Sequence, residues 1–183
     1  RSVVVKTIVT VVLTFGNLIK THADNVLDAD SIIRSLAPIE HVPEHSDKPR
    51  RTVDLEVHFK VNSAILIKSA KRQLDYLAQA MKRTELKSST FEIIGHTDTS
   101  GEAVHNLKLS IKRSKSVKSY LVKEHFIENS RLKSSGKGES QLKDLINTTS
   151  IINRRVEIIN FNPVYTQSEK FNNEPVNDIL RGQ

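Results

Sequence analysis

Apolar and polar positions alternate strictly from Val53 to Phe59, with Val53, Leu55, Val57 and Phe59 on one side. A period of two over that length predicts a half-buried strand. The period then changes. From Ile67 to Lys82 the residues Ala70, Leu74, Leu77, Ala78 and Met81 recur at helical spacing, with lysines and arginines opposite them, which predicts an amphipathic helix. A second strand is expected over Thr90 to Ile94, closed by Gly95, and a second helix over Ala103 to Glu124. Arg131 to Ser135 reads as a short strand ahead of a turn at Gly136-Lys-Gly-Glu139. Asn153 to Phe161 reads as the last strand, with Val156, Ile158 and Asn160 to one side. The order β-α-β-α-β-β predicts an α+β domain of two layers, one mixed sheet with both helices on one face.

The ends read differently. Val3 to Phe15 is apolar with Lys6 inside it and Arg1 ahead of it, and Thr21-His22-Ala23 offers small residues before Asp24. That is the pattern of a cleaved export signal over residues 1–23, with a retained membrane anchor as the alternative. Residues 24–51 form a connector in which Asp28 to Leu36 makes a short amphipathic helix, Ile32, Ile33 and Leu36 sharing a face. The domain proper is expected over residues 52–161. Residues 162–183 are polar and Asn-rich and are expected as a flexible tail.

Composition narrows the function classes. The 183 residues carry 37% apolar side chains, enough for one domain with a real core. Cysteine is absent, which excludes disulfides, thiolate metal sites and a lipidated cysteine anchor. The net charge of +7 favours acidic partners. Aromatic residues are only 5% with no tryptophan, a poor basis for a base-stacking platform. A nucleic-acid-binding reading therefore rests on charge alone.

The stretch Phe91 to Arg113, FEIIGHTDTSGEAVHNLKLSIKR, holds the candidate chemistry. Its strand, loop and helix bring Asp98 in the loop toward the helix start. At about 100° per residue, Asn106, Leu109, Arg113, Val117, Tyr120 and Leu121 fall on one helical face. A cation in an apolar stripe needs a partner, and Asp98 is the nearest candidate for Arg113. The same pair also fits a structural ion pair, or a capping role for Asp98. His96, Asp98 and His105 resemble metal ligands but lack a third position of firm spacing. Ser100, Ser110 and the histidines form no nucleophile–base–orienter set, and no nucleophile elbow is present. Arg154 and Arg155 are expected to stabilise the sheet edge or to touch an anionic polymer. The helix lysines read as solvated faces.

Taken together, Phe59 with Asn62-Ser63-Ala64, the GHTDTSG loop from Gly95 to Gly101, Asn106 with Leu109-Ser110, Arg113 with Val117 and Leu121, Gly136-Lys-Gly-Glu139 and Asn153-Arg-Arg-Val-Glu157 resemble the OmpA-like C-terminal domain. This is the peptidoglycan-associating module of OmpA, Pal and flagellar stator proteins. The resemblance implies the fold just derived and a non-enzymatic binder of the cell wall, without cofactor or metal. It implies that Asp98 and Arg113 hold meso-diaminopimelate of the stem peptide, with Asn106, Thr97 and Asn62 around them. It also implies a periplasmic place at the wall or outer membrane, with envelope proteins or a second copy as further partners. Lys60 and Asn62 stand where the family often carries an aspartate, and Ser114 replaces the usual alanine after Arg113. A wall-acting hydrolase is the rival from another class.

Overall fold

A computed structural model describes residues 26–39 and 51–162; the expected export signal, residues 24, 25 and 40–50 of the expected connector and all but the first residue of the expected tail lie outside them. The elements in order are α1 (Ala29–Leu36), β1 (Arg51–Leu55), α2 (Lys68–Lys82), β2 (Phe91–His96), α3 (Ala103–His125), β3 (Leu132–Gly138) and β4 (Val156–Asn160). The strands form one four-stranded sheet in the order β1-β4-β2-β3. β4 is antiparallel to both neighbours, and β2 pairs parallel with β3. The sheet is therefore mixed, as the element order predicts.

Alternation decides which side of the sheet is dry. Val53 and Leu55 of β1, Phe91 and Ile93 of β2, Leu132 of β3, and Val156 and Ile158 of β4 join one buried cluster. Leu74, Leu77, Ala78 and Met81 of α2 and Val117 and Leu121 of α3 complete it. The short helix expected within the connector is present and belongs to the same cluster. Asp28 accepts a hydrogen bond from the Ser31 amide and caps α1, while Ile32 and Leu36 are fully buried. Arg51 closes the other end of α1 by donating to the carbonyls of Ala37 and Arg34. Two fully buried branched side chains contribute roughly 1.5–3 kcal/mol each. Asn160 ties the same region together, its amide donating to the Leu36 carbonyl at 2.9 Å.

Several boundaries differ from the sequence expectation. β1 stops at Leu55 rather than Phe59 because β4 begins at Val156, opposite Leu55, and leaves residues 56–59 unpaired on that side. Val57 still reaches the core, and Phe59 makes an isolated bridge to Leu66. β2 runs past Gly95 to His96, and Gly136 to Gly138 is the end of β3 rather than a turn, because the parallel pairing continues through Gly95 and Gly136. β4 starts three residues later than expected, after a 3-10 turn at Ile151–Asn153.

The buried stripe of α3 is Asn106, Ser110, Ser114, Val117 and Leu121. Leu109, Arg113 and Tyr120 lie on its margin, half-exposed. Small residues make the contact with the sheet. A Cβ on Gly95 would fall 2.3 Å from the Ser110 carbonyl oxygen, and one on Gly136 would fall 2.3 Å from Ser110 Oγ. The helix backbone can approach β2 and β3 this closely only because both strands carry glycine there. Ser110 uses the proximity, donating to the Leu107 carbonyl and accepting from the Gly138 amide at 2.9 Å. Elsewhere α2 and α3 are joined by Asp75, which accepts from Tyr120 at 2.8 Å and lies 2.7 Å from His125 Nε2. Burial, with the bond to Asp75 and the nearby carboxylates, pushes the Tyr120 phenol up to about 12.

Candidate binding site between the β2 loop and α3

The loop after β2 is fixed from three sides. The Thr97 amide donates to the Gly138 carbonyl at 2.9 Å, which holds the loop to the end of β3. The Asn106 amide nitrogen, at the start of α3, lies within 3.2 Å of the carbonyls of Asp98 and Ser100 and 2.7 Å from Glu139 Oε2. Thr99 binds the 141–150 segment, its amide donating to the Thr148 carbonyl and its hydroxyl to Thr148 Oγ1. That segment is gathered by Asn153, whose side-chain Oδ1 accepts from the amides of Lys143 and Asp144.

Asp98 is held in this frame at 5% exposure. One carboxylate oxygen accepts from the Ser100 amide at 2.9 Å; the other accepts from Arg154 Nη1 at 2.5 Å. Burial raises its pKa, but the bond and charge of Arg154 and the Ser100 amide outweigh that and hold it below the usual carboxylate range.

The expected direct pair between Asp98 and Arg113 is not formed. Arg154 takes that place, from the lead-in to β4. Arg113 instead donates through Nε to the Ser63 carbonyl at 3.1 Å and lies 5.0 Å from the centre of the Phe59 ring. Its terminal nitrogens have no acceptor among the described residues. Burial and the charge of Arg154 lower its pKa, and Asp98 partly offsets them. Two guanidiniums thus share one nearby carboxylate at a half-buried position. Such a place favours a further anionic group between them.

A cavity of about 80 Å³ opens beside the two guanidiniums, lined by Val57, His58, Phe59, His96, Arg113, Ile151, Arg154 and Arg155, while Asp98 lies behind Arg154 and does not line it. The cavity exceeds the roughly 10–15 Å³ that admits one water. The remaining expected binding residues, Asn62, Thr97 and Asn106, do not line it and have different roles. Asn62, in the left-handed backbone region, accepts through Oδ1 from His105 Nε2 at 2.7 Å. Thr97 is buried, and its hydroxyl has no partner among the described residues. The contacts of Asn106 are those of a residue that holds the loop. His96 faces Glu157 at 3.2 Å, His105 faces Asn62, and Asp98 faces Arg154. The histidines and Asp98 therefore do not converge on one point, as a metal site would require. Arg155 is engaged away from Asp98, with Asp54 at 3.1 Å.

Arg154 was the residue whose place the sequence did not reveal, since it lies 56 positions from Asp98. A signal existed. Arg154 shares the parity of Val156 and Ile158, the buried side of β4, whereas Arg155 shares that of Glu157.

This architecture defines an α+β binding domain, with a charged loop held against a helix at the open end of a mixed sheet. The family model of OmpA matches residues 58–157, and the chain belongs to the OmpA family. Among curated relatives, outer membrane porin F of Pseudomonas aeruginosa is 37% identical over 109 residues, 57% of this chain and 30% of the porin. Outer membrane protein Omp38 of Acinetobacter baumannii is 34% identical over 105 residues, 55% of this chain and 29% of that protein. The chain thus spans about 30% of the length of these relatives. A putative MotB-like protein from Desulfovibrio vulgaris superposes with a TM-score of 0.53 at 27% identity, over 63% of this chain and 75% of that one. The OmpA-like domain of FopA1 from Francisella tularensis superposes with a TM-score of 0.52 at 19% identity, over 67% and 87%. The latter shows the fold alone.

Proposed function

We propose that this domain binds peptidoglycan non-covalently through the zwitterionic end of meso-diaminopimelate, and so anchors an envelope component to the wall. The protein is of the cell envelope, on its periplasmic side, in line with its outer membrane relatives. The observation that carries the ligand assignment is that Arg113 and Arg154 both line a small cavity while Arg154 is bonded to the buried carboxylate of Asp98. Diaminopimelate ends in an ammonium and a carboxylate on one carbon. Asp98 accepts from the ammonium, and the open fork of Arg113 meets the carboxylate with two parallel bonds. Arg154 leaves Asp98 as the ammonium arrives and turns to the same carboxylate. Charge is conserved at each partner, so the exchange leaves no buried ion unpaired. No step of catalysis is involved.

The test is co-sedimentation with purified sacculi. Each charge-assisted bond is worth roughly 1.5–3 kcal/mol. Asp98→Ala or Arg113→Ala should therefore weaken retention by one to two orders of magnitude, and free meso-diaminopimelate should compete. Retention of both variants at the parent level would refute the assignment.

A further inference from the structure

The outer side of α3 carries a second pattern, separate from the wall site. Lys108, Lys112, Lys115, Lys118 and Lys123 fall within a sector of about 140°, opposite the buried stripe of Asn106, Ser110, Ser114, Val117 and Leu121. Lys118 is tied to the Leu132 carbonyl at 2.6 Å. The other four are exposed and have no carboxylate partner among the described residues. Lys115, Lys118, Val122 and Lys123 line a shallow trough of about 270 Å³ together with Ser119 and Asn129. At the end of this face stands Phe126, 84% exposed.

Phe126 terminates α3 with φ of 56°, in the left-handed region. Glycine is the usual residue there, since a side chain with Cβ is disfavoured. The next residue closes the helix normally, the Ile127 amide donating to the Leu121 carbonyl at 3.2 Å, and Ile127 is buried. An aromatic ring is thus kept outside, at a position whose backbone disfavours it. A run of unpaired lysines ending in an exposed phenylalanine is the makeup of a surface that lies on lipid.

We propose that the outward face of α3 rests on an anionic phospholipid surface, the lysines against headgroup phosphates and Phe126 in the acyl boundary. A soluble polyanion would engage the lysines and leave the ring unused; a phospholipid surface engages both. Arg113 lies on the other side of the helix and about 20 Å along it from Phe126 at 1.5 Å per residue. One helix would then face the wall on one side and a membrane on the other.

The test uses the full chain with vesicles of phosphatidylcholine alone or mixed with phosphatidylglycerol. The apolar stretch Val3 to Phe15 is common to all variants, so differences between them report on α3. Binding should rise with the phosphatidylglycerol fraction and fall with salt. Each lysine near such a surface is worth roughly fivefold in partitioning, so Lys112→Glu with Lys115→Glu should lose at least about twentyfive-fold. Phe126→Gly suits the left-handed backbone and should match or exceed the parent in denaturation midpoint, while partitioning falls at least about fivefold. The chain has no tryptophan, so Phe126→Trp is a sole reporter, and its emission should shift to the blue on anionic vesicles. Sacculus retention should be unchanged in these variants. Vesicle binding at parent level in the lysine or glycine variants would overturn the proposal. So would a tryptophan emission that stays unmoved while the lysine variants lose binding, the result expected of a polyanion site.

Discussion

Asp98 carries its charge bonded to one guanidinium and near a second. Its depressed pKa sets the sign of a pH effect. A carboxyl whose folded pKa lies below its unfolded value of about 3.9 contributes fully above that value, and the contribution is lost as pH falls through the folded one. Retention on sacculi should therefore be flat from pH 7 to about 4.5 and fall below about pH 4, whereas Asp98→Asn should bind weakly and without that step. A parent protein that loses retention near pH 6 would point to a histidine instead. At this scale the sequence was legible where the partners sit in one contiguous motif. Thr97, Asp98, Asn106 and Arg113 all lie within the Phe91 to Arg113 stretch. Arg154 comes to the site only through the pairing of β4 with β2, and a long-range ion pair leaves no local trace beyond the parity of its strand.

Among the elements, α3 decides whether the site exists, because it carries Arg113 and holds the loop through Asn106. Its seating depends on serine and glycine rather than on large apolar residues. Ser110 is fully buried between Gly95 and Gly136, so Ser110→Leu must push the helix off the sheet. Overpacking of this kind costs about 1–3 kcal/mol, measurable as a lowered midpoint in urea. The bond from Ser110 to the Gly138 amide is lost as well, so sacculus binding should fall with stability. An unchanged midpoint would mean that the helix is not packed as described. Hydrophobic periodicity placed α3 correctly but shifted its buried face, because Leu109 and Tyr120 counted as core and the serines did not. The strand ends are hidden in the sequence for a related reason. Gly95 and Gly136 look like stops in a sequence, yet here they continue a parallel pairing under a close helix.

In the whole molecule, α1 belongs to the same hydrophobic cluster as the sheet. The sequence showed that this helix is amphipathic but not what its apolar side meets, since nothing local distinguishes a helix in a connector from one docked on a core. Leu36 is fully buried within that cluster. Leu36→Ala should cost about 2–5 kcal/mol by chemical denaturation, with a single transition for the entire domain. A loss below about 0.5 kcal/mol would show α1 to be peripheral. The fold as a whole, by contrast, was readable from the order of its periods, and the topology rules left few arrangements for two helices and four strands.

The central claim is that a carboxylate and a guanidinium clasp one zwitterion, and a chemical-shift titration with diaminopimelate and a ligand lacking the zwitterion addresses it directly. Meso-diaminopimelate should shift the backbone amides of Thr97, Asp98 and Ser100 saturably in the parent protein. Lysine acetylated at its α-amino group and amidated at its α-carboxyl group keeps an ammonium but presents no zwitterion, and should do so at least about tenfold more weakly. In Arg113→Ala the diaminopimelate response should fall to the level of the blocked lysine. Equal affinity for the two ligands, or an undiminished response in Arg113→Ala, would contradict the account.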